Sequence, residues 1–127
     1  MTTKPLKVML VDDQKMANFI NKKLIEISGF SSHIIDYTIP NAALSNLDKD
    51  QPDLIFLDLN MPEINGWTFL DILEKDERPT RVVIVTSSTS IIDKQKAQKY
   101  ARVIDFLTKP LTKNTILSLK SKLNLAG

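Results

Sequence analysis

The sequence contains no cysteine, so it can form neither a disulfide framework nor a thiolate metal site. No apolar run approaches the ~20 residues that a membrane-spanning helix needs. The first residues, MTTKPLKVMLVDD, reach acidic side chains too soon to hold the apolar core of a signal peptide. Because no address signal is found, we expect a cytoplasmic protein that does not bind membranes.

Charge of one sign is also scarce, since the formal net charge is only +2. This value does not indicate nucleic-acid binding, and we expect none. The charge is unevenly distributed: residues 90–127 carry +6, whereas the first 89 residues carry −4. The basic last third favours an acidic protein partner. The length of 127 residues fits one domain, and we expect residues 1–127 to form it with no second domain attached.

Five short apolar runs predict β-strands. Three of them, the first, third and fourth, are nearly continuous in Val, Ile, Leu and Phe, which is typical of strands covered on both faces. The five runs are Val8–Val11, Ser32–Tyr37, Leu54–Leu57, Val82–Val85 and Val103–Leu107.

Segments between and after these runs have helical spacing. The clearest is the first, whose apolar residues recur at intervals of three and four: Met16, Phe19, Ile20, Leu24 and Ile27. The predicted helices are Lys15–Ser28, Asn41–Leu47, Trp67–Leu73, Ile91–Tyr100 and Lys113–Leu125. The alternation predicts an α/β fold, a flavodoxin-like doubly wound (βα)5 arrangement. Its five-stranded parallel sheet is expected to have strand order 2-1-3-4-5.

Polar residues follow four of the predicted strands. Asp12 and Asp13 follow the first and Asp58 follows the third, while Thr86 and Lys109 follow the fourth and fifth. Ligands of open α/β sheets bind beyond the carboxyl ends of the strands, where the strand order reverses. With order 2-1-3-4-5 that point lies between strands 1 and 3. We therefore expect the three acids to meet there, flanked by the threonine and the lysine.

This set of residue types suits phosphoryl transfer. Crowded carboxylates repel one another, and Mg²⁺ with its preference for oxygen ligands can neutralise them. A lysine can pair with a carboxylate and bind phosphate as a point charge. An aspartate can itself act as a nucleophile toward phosphorus. Phosphoryl transfer mainly needs positioning and charge neutralisation, which these groups supply together.

Four motifs, Asp12-Asp13, FLDLNMPEINGW, VVIVTSS and DFLTKP, resemble the CheY-like receiver domain of two-component response regulators. The resemblance covers nearly the whole chain. It implies that Asp58 accepts a phosphoryl group from a histidine kinase or a histidine phosphotransfer protein. It also implies a Mg²⁺ ion held by Asp12, Asp13, Asp58 and the backbone carbonyl of Asn60.

The resemblance further implies a conformational switch. Thr86 would be the switch hydroxyl, Lys109 the lysine that pairs with the phosphoryl group, and Phe106 the aromatic switch residue. The Lys109-Pro110 bond is expected to be cis. The signal would pass in trans, either by phosphorelay or through a face of the fourth predicted helix, fifth strand and fifth helix that binds a downstream protein. No enzyme activity is expected beyond autocatalytic phosphorylation and dephosphorylation.

Other readings of the same residues stay open. Asp13 could cap the first helix and Asp58 could form a turn. A flavin-binding electron carrier of this fold would need a phosphate-cradling loop after the first strand, where VDDQKMA has acids. A phosphatase with an Asp nucleophile would have a second Asp in place of Asn60. A receiver-like interaction module independent of phosphorylation is a further alternative.

Overall fold

A computed structural model of the chain describes residues 6–123. Within this range the strands are β1 (Lys7–Val11), β2 (His33–Tyr37), β3 (Leu54–Asp58), β4 (Arg81–Thr86) and β5 (Val103–Thr108). The helices are α1 (Lys15–Ile27), α2 (Pro40–Ser45), α3 (Leu47–Asp50), α4 (Gly66–Leu73), α5 (Ile91–Ala97) and α6 (Lys113–Lys122). None of these helices has the length and hydropathy needed to cross a membrane.

The strands form one parallel sheet in the order β2-β1-β3-β4-β5, which confirms the predicted topology. Each strand starts and ends within about a residue of its apolar run. β3 is buried over its whole length and β4 is buried except at its first residue. This double-sided burial explains why both runs lack polar alternation. β2, at the edge of the sheet, buries only Ile34.

Two apolar clusters lie on the two faces of the sheet, because successive residues of a strand point to opposite faces. Helices α1 and α6 cover one face, and α2 to α5 cover the other. Met9, for example, joins the cluster of α4 residues Phe69 and Leu70, whereas Val8 joins the cluster of Ile25 from α1. The sheet is therefore held between two helical layers, and only its strand ends are left for a polar site.

The second predicted helix, Asn41–Leu47, differs from the structure. The segment begins one residue earlier, at Pro40, whose fixed φ suits the first turn of a helix. It is then interrupted at Asn46, whose backbone (φ −103°, ψ 9°) is not helical, and a separate short helix α3 follows. The last helix ends at Lys122. The predicted end at Leu125 lies outside the described residues.

Helix α1 confirms the first predicted helix, but its apolar stripe faces away from the sheet. Four residues of the stripe are more than half exposed: Met16, Phe19, Ile20 and Ile27. The residues that α1 buries are Asn18 and Ile25, on the opposite side. A periodicity of three and four identifies a helix without deciding which side the sheet covers. An exposed apolar stripe of this kind is typical of an interaction surface.

Candidate functional site

Three aspartates converge beyond the carboxyl ends of β1 and β3. One carboxylate oxygen from each of Asp12, Asp13 and Asp58 lies within 4.8 Å of the others. The β1–β3 ladder pairs Val11 with Leu57, so the residues that follow both strands arrive side by side. Asp12 and Asp58 are buried, and Asp13 is partly exposed. The structure thus brings together the acids that the sequence placed at strand ends.

Lys109 joins this cluster from the end of β5. Its Nζ donates a hydrogen bond to Asp12 Oδ2 at 2.7 Å and lies 3.6 Å from Asp58 Oδ2. Its backbone N–H donates to the carbonyl oxygen of Thr86 at 2.8 Å, which extends the β4–β5 pairing by one residue. The Lys109-Pro110 bond is cis, as predicted. The Lys109 ammonium group therefore contacts two of the three carboxylates.

The electrostatics show that this ammonium group does not balance the acids. Burial raises the pKa of Asp58 from 3.8 to about 6, and the charges of Asp12 and Asp13 add to the rise. The Lys109 ammonium and the backbone N–H of Asn60, 3.3 Å from Asp58 Oδ1, lower the pKa by less. Burial also lowers the pKa of Lys109, but its hydrogen bond to Asp12 and the two nearby carboxylates raise this pKa above its ordinary value. Burial is thus the main cause of the raised pKa of Asp58, and the neighbouring carboxylates add to it.

Thr86 and Phe106 lie on the neighbouring strands β4 and β5. Thr86 is completely buried, and its Oγ1 accepts a hydrogen bond from the backbone N–H of Ser88 at 3.1 Å. Ser88 Oγ in turn donates to Asp93 Oδ2 at 2.9 Å. Phe106 is paired with Ile84 and packs, partly buried, against the cluster on the α2-to-α5 face. The roles of Thr86 and Phe106 as a switch pair stay a prediction.

Asn60 and Asp13 are the two remaining candidate ligands. Asn60 is exposed just beyond the buried Leu59, and the ligand role of its carbonyl stays a prediction. Asp13 does not cap α1, because the N-cap residue is Gln14. The backbone N–H of Gln14 donates a hydrogen bond to Asp12 Oδ1 at 2.9 Å. Because the cap position is taken by Gln14, the capping alternative for Asp13 does not describe this structure.

Sequence reasoning missed one residue at the edge of the site. Asn18 is 1% exposed, and its Nδ2 donates to the backbone oxygens of Asp12 and Tyr37, each at 3.1 Å. An asparagine within an amphipathic helix is ordinarily interpreted as a solvent-facing residue. In the sequence, Asn18 differs from other polar residues of the helix only by its position opposite the apolar stripe. This position indicates burial only once the orientation of the helix is known.

A glycine holds the segment after β3 close to the cluster. A Cβ atom at Gly66 would lie 2.7 Å from Leu59 Cα and 2.8 Å from the backbone oxygen of Asp58. The backbone N–H of Gly66 donates to the Leu59 carbonyl oxygen at 2.8 Å. The preceding residue, Asn65, caps α4, because its Oδ1 accepts a hydrogen bond from Thr68 N–H at 3.0 Å. Gly66, the first residue of α4, thus allows the backbone to fold tightly back on the site.

A doubly wound parallel sheet with an acid cluster and a lysine at its topological switch point defines a receiver-type α/β protein. The family model for the response regulator receiver domain matches residues 8–120. The chain belongs to this family and is a receiver domain of two-component signalling.

Individual relatives agree with this assignment. The chain is 30% identical over 118 residues to the sensory transduction protein LytT of Bacillus anthracis, covering 92% of this chain and 46% of the relative. A two-component response regulator from Cytophaga hutchinsonii has a similar structure, with a TM-score of 0.85, 32% identity and coverage of 96% and 99% of the two chains. A CheY-like receiver domain protein from Methanospirillum hungatei shares the fold, with a TM-score of 0.81 at 19% identity and 95% coverage of both chains. The chain spans less than half the length of the curated relatives it matches.

Proposed function

We propose that Asp58 accepts a phosphoryl group from a histidine kinase or a histidine phosphotransfer protein in a Mg²⁺-dependent reaction. The modified domain then signals by a change of conformation or by passing the group on in a phosphorelay. The observation that carries this proposal is the surrounding of Asp58: a buried carboxylate with Lys109 Nζ 3.6 Å away and two further carboxylates within 4.8 Å.

The residues of the cluster fit a magnesium ion. Mg²⁺ prefers oxygen ligands, and Asp12, Asp13 and Asp58 present three carboxylate oxygens within 4.8 Å of one another. Burial and the charges of Asp12 and Asp13 raise the pKa of Asp58, which agrees with a site that a cation would stabilise. These carboxylates and the backbone carbonyl of Asn60 would hold the ion. When bound, it would neutralise charge on the transferring phosphoryl oxygens.

The side chains of the chain itself would divide the remaining work. A carboxylate oxygen of Asp58 forms the new bond to phosphorus as the bond from phosphorus to the donor's nitrogen breaks. Lys109, already 2.7 Å from Asp12, pairs with a phosphoryl oxygen as a point charge. Thr86 donates its hydroxyl proton in a hydrogen bond to another oxygen, and Phe106 turns into the space that Thr86 leaves. The proposed switch thus couples charge at Asp58 to the surface of α5, β5 and α6.

The exposed stripe on α1 is the surface we assign to the phosphoryl donor. A groove between α1 and the segment after β5 is lined by Met16, Ala17, Ile20, Pro110 and Leu111. Lys109 lines this groove and also contacts the acid cluster, so a protein that reaches the cluster would cover the groove. The stripe lies on a helix with three lysines and one glutamate. A donor helix with an apolar face flanked by acidic residues would fit it.

A second surface suits the downstream partner. Lys94 of α5, Lys122 of α6 and Phe106 of β5 line one shallow cavity. Beside it, at the start of α5, Ile91 and Ile92 are 72% and 75% exposed. Exposed apolar groups on a helix that also carries Lys94 and Lys96 favour a partner with an acidic, partly apolar segment. This face contains the aromatic switch residue, so its shape would depend on the state of Asp58.

Mass spectrometry after incubation with acetyl phosphate and Mg²⁺ tests the proposal. We expect the mass of one phosphoryl group to be added, and we expect this gain to disappear in Asp58→Asn or when a chelator removes the metal. Glu77→Gln, which neutralises an exposed acid before the start of β4, is the control and should be modified normally. Absence of modification by small donors and by kinases would favour the phosphorylation-independent module, and a coloured, flavin-containing protein would favour the electron carrier.

A further inference from the structure

Asn18 occupies a position that its chemistry does not favour. Asparagine is a poor helix former because its side chain competes for backbone hydrogen bonds, and polar side chains of surface helices ordinarily face water. Here Asn18 is 1% exposed, whereas Phe19 and Ile20, the next two residues of α1, are 56% and 51% exposed. Its Oδ1 accepts no hydrogen bond from any residue in the range 6–123. A buried side-chain oxygen without a hydrogen-bond partner is uncommon in folded proteins and calls for an explanation.

The contacts of Asn18 show what it holds. Its Nδ2 donates to the carbonyl oxygen of Asp12, the residue after β1, and to that of Tyr37, the last residue of β2. The backbone N–H of Asp12 donates to the same Tyr37 oxygen at 3.1 Å. One amide group therefore ties the ends of two strands together, at the peptide that joins Asp12 to Asp13. The orientation of this peptide determines where the Asp13 side chain begins.

Asp12 and Asp13 depend on this support to different degrees. The Asp12 carboxylate is fixed directly, by Gln14 N–H at 2.9 Å and by Lys109 Nζ at 2.7 Å. The Asp13 carboxylate makes no hydrogen bond or ion pair with another residue of the described range, although one of its oxygens lies within 4.8 Å of the other two carboxylates. Its position must therefore come from its backbone, which is anchored through the Asp12 carbonyl.

We infer that Asn18 is a positioning residue for the metal site, and that it acts by holding the Asp12–Asp13 peptide in place. The inference rests on the proposed function, because it assumes that these acids bind Mg²⁺. Groups that orient metal ligands typically contribute 10- to 100-fold to metal affinity. Since only one of the three carboxylates depends on Asn18, we expect an effect near the lower end of that range, about tenfold.

Titration calorimetry with Mg²⁺ on the full chain tests this inference. Asn18→Leu keeps the approximate size of the side chain, removes the donor and also removes the unpartnered oxygen. We expect it to bind Mg²⁺ about tenfold more weakly than the wild type. Phosphorylation by acetyl phosphate should need correspondingly more Mg²⁺ for half the maximal rate, but the rate at saturating Mg²⁺ should stay within about twofold, because bound metal orders the acids itself. Ile25→Val, a buried change on the same helix away from the acids, is the matched control and should leave Mg²⁺ affinity unchanged.

The outcomes separate this inference from the proposed function. Unchanged Mg²⁺ affinity in Asn18→Leu, with normal binding by the wild type, would overturn the role of Asn18 alone. Equal losses in Asn18→Leu and Ile25→Val would show a general effect of stability and would also overturn it. If the wild type binds no Mg²⁺, the proposed metal site fails and the inference fails with it. Should Asn18→Leu not fold, Asn18→Ala applies the same criteria.

Discussion

The raised pKa of Asp58 predicts that this residue destabilises the metal-free domain at neutral pH. Its ordinary pKa of 3.8 describes the unfolded chain, and the folded value is about 6. Between these values the folded state holds a proton that the unfolded state has lost. Stability therefore falls as the pH rises from about 3.8 to about 6, and the loss is complete at higher pH. Asp58→Asn removes the charge and should remove this loss.

The magnitude follows from the size of the shift, since one pKa unit corresponds to about 1.4 kcal/mol. Asp58 is only 4% exposed, so solvent screens its interactions weakly. Between about pH 4.5 and about pH 7.5 we expect wild-type stability to fall by about 2 kcal/mol relative to Asp58→Asn. Taking the difference between the two proteins cancels the titration of those acids that do not interact with Asp58.

Urea unfolding in the presence of a chelator measures this difference at the two pH values. Excess Mg²⁺ at about pH 7.5 should then stabilise the wild type, by about 2.7 kcal/mol at a hundred times the dissociation constant, and Asp58→Asn much less. Glu77→Gln is the control and should differ from the wild type equally at both pH values. A difference between Asp58→Asn and wild type that stays constant or shrinks as the pH rises would refute the reasoning.

Three further predictions follow from single contacts. Gly66→Ala should lower the free energy of unfolding by about 1–3 kcal/mol, measured in urea, because its Cβ would lie 2.7 Å from Leu59 Cα; unchanged stability would show that the loop has room. Arg102→Met should cost a similar amount, since Arg102 donates to three backbone carbonyls before β4, and a neutral result would show that water replaces it. Ile20→Glu should slow phosphorylation by the donor protein at least tenfold and leave acetyl phosphate modification unchanged. Equal losses with both donors would place the defect in the acceptor site instead.

Arg102 also connects the starts of two neighbouring strands. In the structure, Arg102 Nη1 donates to the carbonyl oxygen of Thr80 at 3.0 Å and to that of Arg78 at 2.5 Å. The backbone N–H of Val82 donates to the Arg102 carbonyl at 2.8 Å. The arginine thus joins the starts of β4 and β5 by side chain and backbone together.

The strand ends show how far the sequence alone leads. The alternation of strands and helices predicted the sheet order, and the polar residues after the apolar runs predicted that Asp12, Asp58 and Lys109 lie close together. This succeeds because parallel strands in a known order must bring their carboxyl ends to one edge. Lys109 and Asp12 lie 97 positions apart in the chain, yet the pairing of the strands brings them within hydrogen-bonding distance.

Only the tertiary structure decided which side of α1 meets the sheet. The spacing of Met16, Ile20 and Ile27 indicates a helix in any orientation, and these residues proved to be its exposed side. The burial of Asn18 and the raised pKa of Asp58 likewise depend on neighbours from β1, β2 and β5. Sequence periodicity reports the local geometry of one segment. Burial, hydrogen bonding and charge interactions are properties of the space between segments, and they exist only once the chain is folded.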